Sequence, residues 1–316
     1  MRIVFLGSGE FGLPTLKALA ERHEVVGVVT QPDRRSGRGG KTSPTPIGAW
    51  AAEQLASVPL IKPENINEPE MIASVRALDA DAWVVIAFGQ KLGKALLDGI
   101  FACNLHASLL PRWRGAAPIN AAIVAGDTET GNSVITLADR MDAGLVLGQS
   151  RRAIEPLQTA GEVHDLLAGD GPELVLDVLG RHERGETEAA KQEEDRVTIA
   201  PKMSKATGWI DFGRSAEECR WRVHGLTLWP GVAVEHAGQT FKLGRVQDEI
   251  GRGGEPGRLV DAGEGLVSCG VGLLKILEAQ PAGGKMMAWR DLANGRALVE
   301  GDPVVSVQPV PERAES

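Results

Sequence analysis

The chain has 316 residues, a formal net charge of −8 and 43% apolar content. That is ample for ordinary folded cores in two domains, and it excludes a disordered chain. No stretch approaches 18 uninterrupted apolar residues, and the amino-terminal run MRIVFLGSGE moves straight into glycines, so a membrane span or a signal peptide is not expected. Cys103, Cys219 and Cys269 are too few and too far apart for a disulfide framework or a metal knuckle, and read as reduced, buried thiols of a cytoplasmic protein.

Residues 2–7 (RIVFLG) predict a first buried strand, and Gly7-Ser8-Gly9-Glu10-Phe11-Gly12 follows, opening a helix to about Arg22. This is the G-x-G-x-x-G spacing of a dinucleotide site. Such a site also needs an acid closing the second strand at 24–30, where the chain has Gln31-Pro32 with Asp33 as nearest candidate. A glycine turn packing a helix onto an α/β sheet is the better reading. The segment QPDRRSGRGGKTSPTPI is too long for an ordinary connection and carries four cations against one acid, which predicts a mobile arm that orders on phosphate.

Helices are expected at 47–56 and 69–78, a short strand at 58–61 and a central strand at 82–87, with Phe88-Gly89-Gln90 at its carboxyl edge. The run Phe101-Ala102-Cys103 closes another strand and leaves Asn104 and His106 at its edge, two residues apart and so on one face. Asn is a neutral donor and His exchanges protons near neutral pH. Ser108-Leu109-Leu110-Pro111 follows, then Arg112 and Arg114 as paired anion binders, so the stretch predicts an acyl-type centre beside an anionic partner.

Beyond it come a helix at 119–125, a strand at 133–137, and Asp142 before a glycine turn. Asp142 is either a turn former or the carboxylate completing the set with Asn104 and His106. A strand to about 150 and a helix at 161–183 complete a catalytic domain of residues 1–185, followed by a polar linker at 186–207. From 208 to 311 the chain turns to short alternating segments at 232–236, 240–246, 258–260, 266–269 and 273–277, a pattern suited to a small β-barrel. Trp209, Trp221, Trp229 and Trp289 are read as core residues rather than stacking platforms, and His224 and His236 as structural.

Acid-free windows concentrate positive charge in this acidic chain: Arg34, Arg35, Arg38 and Lys41; Arg112 and Arg114; Arg196, Lys202 and Lys205. Segregation of that kind suits a local polyanion contact.

HASLLPRWRGAAPI, with QPDRRSGRGG, AFGQ and MDAG, resembles the folate-dependent formyltransferases. APKMSKATGWIDF at 200–212, LWPGVAV at 228–234 and LEAQPAGGKMMAWRDLANG at 277–295 extend the resemblance over nearly the whole chain. They point, within that family, to the members acting on charged initiator tRNA. The resemblance implies an α/β, Rossmann-like formyltransferase domain with a parallel-rich sheet, followed by a small OB-like β-barrel that binds tRNA. It implies transfer of the formyl group of 10-formyltetrahydrofolate, a cosubstrate, to methionyl initiator tRNA; an activated amide and a neutral amine require no metal, and a monomer is expected.

By the same resemblance Asn104, His106 and Asp142 are catalytic. Phe88, Gly89, Gln90, Ser108, Leu109, Leu110 and Pro111 bind folate, and the Arg34, Arg35, Arg38 and Lys41 loop meets the tRNA acceptor stem. From the charge distribution rather than the resemblance, Arg112, Arg114, Lys202 and Lys205 are assigned to the same RNA. Phe88, Gly93, Asn120 and Ala143 stand where the family commonly has Tyr, Pro, Gln and Thr. Two other readings remain: the formyl site serving a sugar-nucleotide amine or water, and a nicotinamide oxidoreductase resting on the amino-terminal glycines. Whether Asp142 or His106 takes the proton is open at this level.

Overall fold

The strand Arg2–Gly7 is buried almost throughout, and the rest of the first sheet forms around it. A computed structural model describes residues 1–36, 41–227, 229–294, 296 and 298–308, with Arg35, Ser36 and Lys41 described by backbone alone. These residues fall into two units. The first comprises Met1–Arg114, Gly131–Arg152 and His164–Thr198.

Its seven-stranded sheet runs in the order Val146–Ala153, Glu129–Thr136, Phe101–His106, Ala82–Ile86, Arg2–Gly7, Glu24–Val29, Leu60–Ile61. Arg2–Gly7 pairs in parallel with both neighbours, and Ala82–Ile86 pairs in parallel with Phe101–His106. Such strands are covered on both faces, hence the all-apolar run Ala-Trp-Val-Val-Ile at the centre. Glu129–Thr136 then joins antiparallel to Phe101–His106. This is the parallel-rich, Rossmann-like architecture expected. Its strand order reverses at Arg2–Gly7, which opens a crevice at the carboxyl ends of the strands.

Helix Leu13–Arg22 has proline in its first turn and buries Leu16 and Leu19. Helix Pro46–Gln54 is capped by Thr45, whose hydroxyl accepts from the Gly48 N–H at 2.9 Å. Between the second strand and this helix, the segment expected as an arm contains a short antiparallel ribbon, Arg34–Ser36 against Lys41–Ser43. Residues 37–40, including Arg38, lie outside the described residues, as do the Arg35 and Lys41 side chains.

The second unit comprises Gly115–Thr130, Ala153–Val163 and the chain from Ile199 on. Its antiparallel sheet runs Leu259–Asp261, Leu266–Ser268, Leu273–Pro281, Gln239–Glu249, Val232–His236, Val304–Ser306, with Met287–Ala288 beside the third strand. A bridge between Arg258 and Pro303, with Val304 N–H donating to the Gly257 carbonyl at 2.6 Å, ties the first strand to the last. The sheet thereby curls into the small OB-like barrel expected; residues 309–311 of the expected span lie outside the described residues.

Several elements here were not expected from the sequence: the short strands Met287–Ala288 and Val304–Ser306, the short helix Trp289–Ala293 and, longest of them, the helix Ala216–Leu226. Ser215 accepts from Glu218 N–H at 3.1 Å while Glu218 accepts from Ser215 N–H at 3.0 Å, a reciprocal cap. Its Ala216, Cys219, Val223 and Leu226 enter the barrel core with Phe241, Val246 and Trp289. Of the four tryptophans, Trp289 is buried and Trp209 and Trp221 are half-buried, but Trp229 is 52% exposed, which corrects the core reading for that residue. The three thiols are free and buried, and burial pushes Cys103 up to about 12. His236 and His224 are buried structural residues: the His236 ring lies 3.1 Å from the Pro303 carbonyl, and His224 Nε2 accepts from Val246 N–H at 3.1 Å. Among the described residues no helix is long and apolar enough to cross a membrane.

Candidate active site

Asn104 and His106 both lie on the Phe101–His106 strand, at its carboxyl end beside the sheet crevice. In register, Asn104 stands opposite Val85 on one side and Ile135 on the other, and His106 opposite Ser133. Among the described residues the Asn104 side-chain amide has no hydrogen-bonding partner. It is half-buried, so its donor is oriented by the strand while remaining available.

His106 is held from both sides. Its Nε2 lies 2.8 Å from the Trp113 carbonyl. A carbonyl only accepts, so Nε2 carries the hydrogen and Nδ1 is the basic atom of the neutral ring. Nδ1 lies 3.7 Å from Oδ2 of Asp142, and both side chains are largely shielded from solvent. A proton arriving on Nδ1 therefore makes an imidazolium facing a carboxylate.

Both partners of His106 sit in turns with unusual backbone. Trp113 has φ +65° and Asp142 has φ +53°. A non-glycine residue held in the left-handed region costs on the order of 1–3 kcal/mol and persists where its surroundings over-determine it. At Asp142 the constraint continues two residues on: a Cβ at Gly144 would meet the Thr136 carbonyl oxygen at 1.6 Å.

The Ser108 to Pro111 loop packs against this centre through buried hydroxyls. Ser108 Oγ donates to the Arg112 carbonyl at 2.7 Å, Ser133 Oγ donates to the Ser108 carbonyl at 2.6 Å, and Leu110 N–H donates to Ser133 Oγ at 3.1 Å. Leu110 is buried; Leu109 and Pro111 are half-buried.

At the neighbouring strand end, Phe88 is a core residue, and its carbonyl accepts from Ser8 Oγ at 3.2 Å and Gln31 Nε2 at 3.1 Å. The Gln90 amide is committed to the 63–66 loop, accepting from Ile66 N–H at 2.8 Å and donating to the Pro63 carbonyl at 2.9 Å. Gly89, exposed at φ +87°, has only the Gln31 side chain near the place of a missing Cβ, at 3.7 Å and beyond. The triplet thus offers a ligand its backbone at Gly89 rather than the Phe88 ring or the Gln90 amide.

The cations expected to meet an anion differ in disposition. Arg34 is exposed, with Nη2 3.2 Å from Gln31 Oε1, and Arg112 is exposed over the Trp113 ring at 4.8 Å. Lys202 and Lys205 are exposed on the second unit. Arg114 is not an exposed anion binder: it is 5% exposed and bound through Nε to Gln192 Oε1 at 2.9 Å and through Nη2 to Glu194 Oε1 at 3.0 Å. Arg140 reaches the same Glu194 oxygen at 2.8 Å, and these two guanidiniums, Arg114 first, hold the carboxyl below its usual range. The two bonds from Gln192 to the Asp142 turn were not anticipated from sequence.

Profiles of known families match both parts of the chain, Formyl transferase over residues 1–179 and Formyl transferase, C-terminal domain over residues 202–297. The chain belongs to the formyl transferase family. Within it, the chain is 42% identical over 302 residues to the methionyl-tRNA formyltransferase of Xanthomonas euvesicatoria pv. vesicatoria (strain 85-10), covering 94% of this chain and 98% of that one. It is 40% identical over 311 residues to the methionyl-tRNA formyltransferase of Parvibaculum lavamentivorans, covering 96% and 100%.

Among solved structures it shares its fold with the sugar 3N-formyl transferase WlaRD, at TM-score 0.66, 13% identity and coverage of 89% and 97%. It likewise resembles HypX from Aquifex aeolicus in complex with tetrahydrofolic acid, at TM-score 0.62, 17% identity and 92% coverage of this chain. The match spans only 46% of HypX.

Proposed function

We propose that this chain transfers the formyl group of 10-formyltetrahydrofolate to the free amino group of methionyl initiator tRNA, giving N-formylmethionyl-tRNA. The observation that carries the reading is full-length identity of about 40% to relatives bearing the methionyl-tRNA formyltransferase name, joined to Asn104 and His106 at one strand edge with the Asp142 carboxylate 3.7 Å from the His106 ring. The uncommitted Asn104 amide and the open backbone at Gly89 fit a flat formyl carrier entering the crevice. The formyl folate would supply an activated amide carbonyl.

Asn104 donates to the formyl oxygen as negative charge builds there; a preorganised donor of this kind is worth about 2.7–4 kcal/mol. His106 Nδ1, the ring's only lone pair, takes the proton released as the amine nitrogen bonds to the formyl carbon. It returns that proton to the folate nitrogen as the old carbon–nitrogen bond breaks. Asp142 faces the resulting imidazolium and holds its charge. Gly89 and the Ser108 to Pro111 loop line the folate side, with the Phe88 ring and Gln90 amide shaping the crevice from behind. Alignment of amine and formyl carbon supplies much of the rate.

For the RNA, Arg34, Arg112, Lys202 and Lys205 are the exposed cations assigned to phosphate, with the ribbon of Arg34–Ser36 and Lys41–Ser43 on the acceptor stem; Arg114 keeps its internal role. Residues 1–185 form the catalytic domain and 208–311 the tRNA-binding domain of a cytoplasmic monomer.

The acceptor is tested by offering methionyl-tRNA and a nucleotide-sugar amine in parallel with the same formyl folate. Mild alkaline release of N-formylmethionine from the RNA, with no formylated sugar, is the expected result. Formylation of the sugar alone, or formate release without either product, would overturn it.

A further inference from the structure

Residues 190–198 fall where the sequence suggests a polar linker, yet they lie hydrogen-bonded along the first unit. Ala190 exchanges two backbone bonds with Val146, at 2.8 and 2.9 Å. Gln192, half-buried, donates from Nε2 to two carbonyls of the catalytic turn, Asp142 at 2.7 Å and Gly144 at 2.8 Å. Its Oε1 accepts from Arg114 Nε at 2.9 Å. That bond orients the amide, since a guanidinium can only donate. Glu194 in turn fixes Arg114 and ties it to Arg140, two residues before Asp142. At the end of the strap, Thr198 Oγ1 accepts from Trp113 N–H at 2.9 Å, and the Thr198 carbonyl accepts from Arg114 N–H at 2.9 Å.

Trp113 supplies the carbonyl at His106 Nε2, and Asp142 supplies the carboxylate near Nδ1. The same strap therefore holds both groups that define the histidine, each in a turn whose backbone is in the left-handed region. Left-handed non-glycine residues hold their place only when neighbouring bonds fix them.

We propose that Gln192 is a positioning residue for formyl transfer, clamping the Asp142 turn so that its carboxylate faces His106 Nδ1, with Arg114 aligning the clamp and Thr198 holding the Trp113 side. The inference rests on the proposed roles of His106 and Asp142. Among the described residues the Gln192 side chain bonds only to Arg114 and to the Asp142 and Gly144 carbonyls, so its effect on His106 passes through the Asp142 turn.

The test compares Gln192→Ala, Gln192→Glu, Asp142→Asn and the double variant Gln192→Ala/Asp142→Asn in formylation of methionyl initiator tRNA, with melting curves for each. Glutamate keeps an acceptor for Arg114 but has no N–H for the two carbonyls, so both single Gln192 variants should behave alike. The expected result is a kcat lower by about tenfold to about 100-fold at little-changed KM for tRNA, with an altered pH–rate profile. Once the Asp142 carboxylate is gone, removing Gln192 should cost nothing further.

Multiplicative losses in the double variant would overturn the inference. So would wild-type kcat in both Gln192 variants, or a loss that only tracks unfolding with the pH profile unchanged. Full activity in Asp142→Asn would instead overturn the underlying reading of the site, whatever Gln192 does.

Discussion

At the scale of single residues, the site divides into groups already committed to the protein and groups whose hydrogen bonds are unused. Asn104 is of the second kind: among the described residues its amide has no partner to lose. Asn104→Ala should lower kcat by about 10²–10³ while leaving the melting temperature nearly unchanged, which steady-state kinetics and calorimetry check together. Gly144 is of the first kind. Gly144→Ala drives a Cβ into the Thr136 carbonyl and should destabilise the protein by roughly 3 kcal/mol, measured by denaturant unfolding, and displace Asp142 with loss of formylation.

The sequence made Asn104 and His106 legible because strand periodicity puts residues two apart on one face, and Asp142 because a carboxylate before a glycine turn is a recognisable pattern. It could not show that the Phe88 ring and Gln90 amide are turned into packing. Nor could it reveal the pairing of Arg114, since its partner Glu194 lies 80 residues away in sequence.

At the scale of elements, the acid-free windows resolve into an antiparallel ribbon carrying Arg34 and an exposed segment, at the start of the second unit's main stretch, carrying Lys202 and Lys205. Arg34→Ala and Lys202→Ala should each weaken tRNA binding and reduce the slope of log affinity against log salt by about 0.7–0.9 for each phosphate left without its cation. The kcat at saturating tRNA should be unchanged. Filter binding over a salt series reads the slope, and an unaltered slope would place both cations off the RNA.

The ribbon was not legible because glycine, serine and arginine give no alternating apolar pattern, and its pairing depends on backbone hydrogen bonds. The same reason hid the 190–198 strap, whose bonds run from an amide and a hydroxyl to distant carbonyls and N–H groups. The Ala216–Leu226 helix did carry a signal, Ser215 followed three residues later by Glu218, but it stands ahead of a run of short alternating strands whose pattern dominates the region.

At the scale of the whole molecule, the parallel-rich sheet and the barrel each follow from patterns the sequence shows plainly: uniformly apolar runs for strands covered on both faces, and short alternating runs for the barrel. Within the barrel unit, burial, then the charges of Arg220 and Arg245, lower the His224 pKa from 6.5 to about 4. The unfolded chain therefore binds a proton before the folded one does. The stability from keeping this ring neutral is fully present above pH 6.5 and is lost as pH falls towards 4, amounting to roughly 3 kcal/mol. His224→Gln, able to accept from the Val246 N–H, should flatten the fall in melting temperature between those pH values; an equally steep fall would assign it to other groups.

The reaction itself provides the most direct test of the account. Methionine-charged initiator and elongator tRNA are offered with 10-formyltetrahydrofolate to the wild-type protein and to folded Asn104→Ala. Formylation of the initiator alone, lost in the variant, is the predicted result. Absence of transfer by the folded wild-type protein, or an undiminished rate in Asn104→Ala, would contradict the assignment of this reaction to this site.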